Sequence, residues 1–316
     1  MTSPKTNIVV PLHNEADVFE SLIKRLNKLL NTEDLSIEVI LIDDGSTDNT
    51  PAMMKDLSLQ DERYHSLFLS RNFGQQKAIT AGLKYSNATE AVLIIDGDLQ
   101  DPPEVLANFY NHLKQGNDVV YAIRKNRNEI WHKRLFYKLF YILQKKVSNI
   151  DIPVDAGDFS MISKRAVDYL NDMPEESRFL RGMRSWIGFK QIGIELDRDE
   201  RYSGKPKYSY KKLFALAFDG LFNFSEFPLK FVFTIGMVTI FSSVVYFAYS
   251  LVQKLVYDAS PQGFTALLFT IILFGGIQLI ALGLIGSYVI RIFFQVKNRP
   301  LFIVKNRIFR KQIFSK

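Results

Sequence analysis

Hydrophobic and polar positions alternate in blocks along the first 125 residues. Five short apolar runs, separated by amphipathic segments, stand at positions 8–10, 39–42, 67–69, 92–95 and 119–121. Residues 18–30, between the first two runs, place their leucines and isoleucine on one face of a helix. Alternation of this kind predicts buried parallel strands joined by helices in right-handed crossovers. The pattern therefore predicts an α/β domain.

Two long apolar stretches follow in the C-terminal third. Residues 231–252 and 264–290 contain no charged side chain over 22 and 27 positions. A helix of about 20 apolar residues crosses a bilayer core of about 30 Å, so both stretches predict transmembrane helices. The loop between them carries only Lys254 and Asp258, whereas lysine and arginine are frequent on both flanks. The positive-inside rule then places both flanks in the cytoplasm.

The segments that flank this pair are basic. Residues 207–227 are amphipathic, with leucine and phenylalanine set against Lys211 and Lys212, which predicts a helix in the membrane interface; an ordinary globular helix is the alternative. Positions 291–316 hold eight Lys or Arg and no acid. Nucleic acid is one partner for such a tail, but its position after an apolar span favours a membrane surface. The apolar run 301–304 predicts a strand that pairs between subunits.

Composition excludes several kinds of site. The 316 residues include 40 Lys and Arg, 33 Asp and Glu, four His and no Cys. Disulfides and thiolate zinc sites are therefore excluded, and the histidines lack metal-ligand spacing. The polar residues 2–7 and the short apolar run 8–12 do not form a signal peptide, so the first half of the chain is expected in the cytoplasm.

Polar residues follow four of the predicted strands, at positions 11–15, 43–48, 70–77 and 96–101. Ligands bind at the carboxyl ends of strands in open α/β sheets, so these residues predict one cleft. Asp96 and Asp98 stay ionised together most readily with a cation between them, and Mg²⁺ takes one or two carboxylates plus substrate phosphates. An Asp-Gly turn is the alternative. The glycine signatures of dinucleotide-binding Rossmann sites and of P-loops are absent.

An ordered set of motifs resembles the family 2 glycosyltransferases of GT-A fold. Within that family the chain is similar to polyprenyl-phosphate glycosyltransferases, which include bactoprenol glucosyltransferases and dolichol-phosphate-mannose synthases. The motifs are Pro11-Leu12-x-Asn14-Glu15, Asp43-Asp44-Gly45-Ser46-x-Asp48-x-Thr50, Arg71-Asn72-Phe73-Gly74, Asp96-x-Asp98-x-Gln100-Asp101-Pro102-Pro103, Ala156-Gly157-Asp158-Phe159, Arg181-Gly182-x-x-x-Trp186-x-Gly188-Phe189 and Arg201-x-x-Gly204-x-x-Lys207-Tyr208. Pro206 departs from the usual Ser before Lys-Tyr.

The resemblance implies a membrane-anchored enzyme. We expect a GT-A catalytic domain with a Rossmann-like mixed sheet at 1–207, an amphipathic juxtamembrane helix at 208–229, a two-helix transmembrane hairpin at 230–291 and a basic cytoplasmic tail at 292–316. The protein would lie in the bacterial inner membrane, with the catalytic domain and both termini in the cytoplasm.

The resemblance also implies site residues. The nucleotide would be held by Pro11, Asn14, Glu15, Asp43, Asp44, Lys77 and Asp96. Mg²⁺ or Mn²⁺ would be held by Asp96, Asp98 and Gln100. For Asp43 and Asp44, capping of the helix ahead of Pro51 is the structural alternative.

The acceptor implied is a lipid phosphate, whose second pKa near 6 leaves its oxygen anionic at neutral pH. A strong general base is then less necessary than orientation and charge balance, which arginine supplies best. The acceptor phosphate would be held by Arg124, Arg127, Arg134, Lys205 and Lys207, and for the three arginines a solvated basic face is the alternative. Asp158, Asp155 and Arg201 are the expected catalytic residues, and the alternative for Asp158 is the cap of a helix from Ser160.

The expected reaction moves one hexose, glucose from UDP-glucose, to undecaprenyl or another polyprenyl phosphate with inversion. A GDP-mannose transferase similar to dolichol-phosphate-mannose synthase and a processive polysaccharide synthase are the enzymatic alternatives. A non-catalytic membrane scaffold is the alternative outside enzymes. The partners expected are a nucleotide sugar, a polyprenyl phosphate and a membrane, with a homo-oligomer as a further expectation and no nucleic acid.

Overall fold

The computed structural model describes residues 4–33, 35–124, 156–196, 227–257 and 263–315. These residues form two compact units. One contains everything described up to residue 196 together with 300–315, and the other contains 227–257 and 263–299.

The first unit is built on one mixed sheet in the order β7-β5-β6-β4-β1-β2-β3-β8-β9. Its strands are β1 (Thr6–Leu12), β2 (Ile37–Asp43), β3 (Tyr64–Leu69), β4 (Ala91–Ile94), β5 (Val119–Arg124), β6 (Ala156–Ser163), β7 (Gln191–Leu196), β8 (Val304–Phe309) and β9 (Gln312–Ser315). The four strands β3, β2, β1 and β4 are parallel neighbours. β6 runs antiparallel to both β4 and β5, and β7 is parallel to β5.

In the described part of this unit, six α-helices connect the strands or follow them. They are α1 (Ala16–Thr32), α2 (Thr50–Gln60), α3 (Gln75–Tyr85), α4 (Leu106–Lys114), α5 (Lys164–Asp172) and α6 (Leu180–Trp186). The amphipathic segment predicted at 18–30 lies in α1, whose buried face includes Leu22, Leu26 and Leu29. These side chains pack against the apolar residues of β1 and β2 in one core.

The five predicted strands are all present, but β5 does not pair with β4. Strand β6 lies between them and pairs with both, from Ala91–Ser163 to Ile94–Ser160 on one side. The apolar periodicity does not reveal β6, because polar Asp158, Ser160 and Ser163 interrupt it. The alternative for Asp158, a cap of a helix from Ser160, is therefore wrong: Ser160 lies in β6, and α5 begins at Lys164.

The structure corrects the bounds and the pairing partner of the strand predicted at 301–304. β8 begins at Val304 and pairs antiparallel with β3 of the same chain, with Ser66 opposite Ile308 and Phe68 opposite Asn306. β9 follows β8 through a tight turn at Arg310 and Lys311, both with positive φ. The edge of β3 is therefore paired within the chain.

The second unit contains two long helices, α7 (Phe227–Tyr257) and α8 (Phe264–Val296). Within them, Val232–Ser250 and Leu273–Val296 are long and apolar enough to cross a membrane by length and composition. Most of the predicted juxtamembrane helix, residues 208–226, lies outside the described residues.

Candidate functional site

The loops after β1 and β2 are bound to each other at the carboxyl edge of the sheet. Asn14, at φ +55°, accepts a hydrogen bond on Oδ1 from Thr47 N at 2.8 Å, and its own N–H donates to Ser46 Oγ at 2.9 Å. Asp43 Oδ1 accepts from Ser46 N at 3.0 Å. Two of the residues predicted to hold a nucleotide therefore also fix the shape of this edge.

Asp44 binds the loop that enters α3. Its carboxylate is buried and accepts hydrogen bonds from Phe73 N at 2.7 Å and Gly74 N at 2.9 Å. Burial raises the pKa of Asp44 above its usual value, although these two bonds oppose the shift. Near the start of α2 the bonded acid is instead Asp48, whose Oδ1 accepts from Thr50 N at 3.0 Å. The structural alternative for Asp43 and Asp44, a cap ahead of Pro51, is therefore wrong.

The predicted metal residues follow β4 directly. Asp96 Oδ1 accepts a hydrogen bond from Gln75 Nε2 at 2.7 Å, and Asp98 Oδ1 accepts from Gln100 N at 3.2 Å. In the part of the chain that the structure describes, no three His, Asp or Glu side chains cluster to hold an ion by themselves. Two carboxylates at this edge fit a divalent ion that takes its remaining ligands from substrate phosphates.

Asp158 lies within β6 and is held from two sides. Arg181 donates to it from Nε at 2.9 Å and from a terminal nitrogen at 3.2 Å, and Gln76 Nε2 donates at 2.9 Å. Burial alone would raise the pKa of Asp158, but the charge and hydrogen bonds of Arg181, with Arg184 and Gln76, outweigh it and hold the pKa below its usual value. The carboxylate is therefore an ion at neutral pH.

Arg184 of α6 binds the same strand, β6. It is buried, donates to Ser160 Oγ at 2.8 Å and to the Gly157 carbonyl at 3.0 Å, and lies over the Tyr121 ring. Burial lowers the pKa of Arg184 to about 10, so it is still a cation at neutral pH. One of these bonds holds the backbone at Gly157 and the other holds the side chain of Ser160, so Arg184 is bound on both sides of Asp158.

Lys77 forms an ion pair rather than standing open to a ligand. Its Nζ lies 2.6 Å from Glu176 Oε1, in the loop after α5. Glu176 was not predicted, and nothing in its sequence neighbourhood marks it.

Sequence reasoning also missed Gln75, Gln76 and Arg184 as site residues, and it treated Arg181 only as part of a motif. The two glutamines stand in the polar stretch after β3, which was the available signal. The contacts that give them a role are to residues 21 and 82 positions away.

The remaining predicted residues divide by what the structure describes. Pro11 lies in β1, and the backbone N–H of Glu15 donates to Thr50 Oγ1 at 3.0 Å, both at the carboxyl edge of the sheet. Arg124 ends β5, where only its backbone is described. Outside the described residues are Arg127, Arg134, Asp155, Arg201, Lys205 and Lys207.

Comparison with known proteins identifies the family. The profile of glycosyl transferase family 2 matches residues 7–170. The chain is 38% identical to the uncharacterized glycosyltransferase YkcC of Bacillus subtilis (strain 168), over 98% of both chains. It is 36% identical to the uncharacterized glycosyltransferase sll0501 of Synechocystis sp., over 95% of this chain and 94% of the relative. It is 35% identical to the SfII prophage-derived bactoprenol glucosyl transferase of Shigella flexneri, over 95% and 97%.

These matches confirm the predicted enzyme class and the mixed α/β fold of GT-A type. They span the sheet unit and the two apolar helices alike. The chain belongs to glycosyltransferase family 2.

Proposed function

We propose that this protein transfers one glucose from UDP-glucose to a polyprenyl phosphate, with inversion at the anomeric carbon. The observation that carries the proposal is similarity over nearly the whole chain to relatives named bactoprenol glucosyl transferase. The cleft supports it, because carboxylates from β2, β4 and β6 stand at the edge of one sheet.

The donor would bind across the loops after β1, β2 and β4. Its nucleotide would be held by Pro11, Asn14, Glu15, Asp43, Asp44, Lys77 and Asp96. Asp96, Asp98 and Gln100 would hold Mg²⁺ or Mn²⁺, and a bound ion would neutralise charge on the departing diphosphate. The ion pair of Lys77 with Glu176 means that Lys77 would reach a nucleotide only by exchanging that partner.

The acceptor brings its own anionic oxygen, so the site has little need of a proton acceptor. Asp158 is an ion bound by Arg181, and we infer that it orients Arg181 and the donor sugar at the reacting carbon. Asp155 and Arg201 would share the catalytic role. Arg124, Arg127, Arg134, Lys205 and Lys207 would bind the acceptor phosphate.

The path of the chain supports a membrane hairpin. β7 and β8 belong to one sheet, and α7 and α8 lie between them in sequence. A chain that leaves the sheet and returns to it crosses a membrane an even number of times. We infer that both helices cross the inner membrane and that the sheet and both termini are cytoplasmic, in agreement with the charge of the flanks.

A transfer assay tests the function. Purified protein is incubated with undecaprenyl phosphate, Mg²⁺ or Mn²⁺ and a panel of labelled sugar nucleotides, and the lipid is extracted. We expect label from UDP-glucose in the lipid, no transfer after chelation of the metal, and none in Asp96→Ala or Asp98→Ala. Asp168→Asn, an exposed change on α5, is the control. Transfer from GDP-mannose alone would contradict the donor, and a polymeric product would contradict single transfer.

Asp158→Asn removes the charge that orients Arg181 while keeping the size of the side chain. We expect turnover to fall by about 100-fold, the loss typical of a removed electrostatic contact in an active site. The thermal midpoint should stay measurable, since Asn still accepts from Arg181. A folded variant that transfers at a near-normal rate would contradict the role of Asp158.

A further inference from the structure

The first turn of α3 contacts acids from three separate parts of the fold. Each of its first three side chains donates to a different carboxylate, in the pairs Gln75–Asp96 at 2.7 Å, Gln76–Asp158 at 2.9 Å and Lys77–Glu176 at 2.6 Å. The turn itself starts at Gly74, whose N–H is bound by the Asp44 carboxylate. The first turn of α3 therefore sets the positions of Asp44 and Asp96 relative to Asp158.

Gln76 uses both ends of its amide. Its Oε1 accepts from Leu180 N at 3.0 Å, at the start of α6, while its Nε2 donates to Asp158 Oδ2 at 2.9 Å. A backbone N–H can only donate and a carboxylate can only accept, so the orientation of this amide is fixed by its two partners. Reversing it would oppose like groups at both ends.

The Asp158 carboxylate is thereby bound from opposite elements. Gln76 of α3 donates to Oδ2, and Arg181 of α6 donates to both oxygens. Arg181 and Gln76 are further connected through α6, because Leu180 precedes Arg181. Removing the Gln76 donor would remove the direct hydrogen bond between α3 and this carboxylate.

We propose that Gln76 is a positioning residue, whose amide fixes the carboxylate of Asp158 in register with Asp96, the acid held by the neighbouring Gln75. The inference rests on the proposed function, in which Asp158 takes part in transfer. Its physical reason is that misplacement of a reacting group by about 1 Å can cost about 100-fold in rate.

Gln76→Glu is the sharpest test, because it replaces the hydrogen-bond donor Nε2 by an oxygen and keeps the accepting oxygen. One oxygen of the introduced carboxylate still accepts from Leu180 N, whereas the other faces Asp158 and repels it. Among the described residues, the charged groups around the pair are Arg181 and Arg184 of α6 and, on the next residue of α3, the Lys77–Glu176 pair. When two carboxylates face each other, the pKa of one of them is raised. As the pH falls, the introduced carboxylate and Asp158 would therefore come to share one proton.

We expect Gln76→Glu to lower kcat by about 10- to 100-fold at pH 8, with the KM for the sugar nucleotide changed by less than about twofold. Its kcat relative to wild type should rise as the pH falls towards 6, because the shared proton again provides a donor to Asp158. Gln115→Glu, the same change at an exposed position after α4, is the charge control and should match wild type at every pH. Gln76→Ala should lose activity without recovery in acid.

Three outcomes would overturn the proposal. Gln76→Glu with wild-type kcat at pH 8, beside an impaired Asp158→Asn, would remove the positioning role and leave the proposed function standing. A loss in Gln76→Glu that does not recover in acid would indicate a purely structural residue. Near-normal transfer by Asp158→Asn would remove the role of Asp158 and with it the need to position that carboxylate.

Discussion

At Gly45 the loop after β2 touches the backbone of the loop after β3. The residue has φ +66°, and a Cβ there would lie 2.4 Å from the Arg71 carbonyl carbon and 2.5 Å from Asn72 N. This close approach brings the Asp44 carboxylate within reach of the amides of Phe73 and Gly74. A single residue without a side chain thus allows two loops at the carboxyl edge of the sheet to meet.

Gly45→Ala should separate these loops. Positive φ alone costs an alanine about 1–2 kcal/mol, and overlap with backbone atoms adds about 1–3 kcal/mol. Gly116→Ala is the matched control, since Gly116 has φ +89° and nothing within 4 Å of the added Cβ. We expect a larger fall in thermal midpoint for Gly45→Ala, together with weaker UDP-glucose binding by calorimetry. Equal effects of the two changes would contradict the close approach.

At the scale of elements, the turn between β8 and β9 is bound to β2 and β3 by a buried polar group. His65 Nε2 donates to Glu38 Oε2 at 2.7 Å, and its Nδ1 accepts from Arg310 N at 3.3 Å. The His65 ring stacks on Phe309 with centroids 4.2 Å apart. The guanidinium of Arg310 lies 3.6 Å from Glu38 Oε1. The hairpin is therefore held by charge as well as by strand pairing.

This arrangement predicts a dependence of stability on pH. Burial by itself raises the pKa of Glu38, but hydrogen bonds from His65 and Asn87 and the charge of Arg310 hold the pKa below 4.5. Because the folded value is the lower one, the stabilisation is complete above the unfolded pKa near 4.5 and is lost as the pH falls through the folded pKa.

Glu38→Gln removes that contribution at neutral pH. We expect the difference in thermal midpoint between wild type and Glu38→Gln to be constant well above about pH 4.5 and to shrink below it. Glu62→Gln, at an exposed position just before β3, is the control and should show no such difference. A difference that grows in acid would have the wrong sign and would contradict the ion pair.

At the scale of the whole molecule, the chain returns to its first unit after α8. β8 pairs along the edge of β3, and its Ile308 side chain is buried. Just before β8, the Ile303 carbonyl accepts a hydrogen bond from Ser70 N at 2.9 Å. β3 leads directly into the loop whose amides bind Asp44. β8 thus pairs with the strand that leads into this loop.

Truncation before Pro300 should therefore affect both stability and donor binding. Loss of the buried Ile308 side chain alone costs about 1.5–3 kcal/mol, and the β3 edge loses its partner. Truncation after Lys311 is the matched control, because it removes only β9, whose residues are exposed. We expect a clear fall in thermal midpoint and weaker UDP-glucose binding for the first truncation and small changes for the second. Identical behaviour of the two proteins would contradict the role of β8.

The sequence by itself determined the features that depend on local order. Apolar runs give the five strands, charge-free stretches give α7 and α8, and polar residues after strands place Asp43, Asp44, Asp96 and Asp98 at the carboxyl edge of the sheet. These could be predicted because each follows from periodicity or from the position of a residue relative to its own strand.

Only the tertiary structure decided which distant residues meet. β6 pairs between β4 and β5, and β8 pairs with β3, across long separations in sequence that no periodicity encodes. Gln76 meets Asp158 for the same reason: its role comes from α3 and β6 packing side by side, and its own neighbours in sequence do not specify it. A hydrogen bond depends on position in space, and in this fold position in space is set by sheet order.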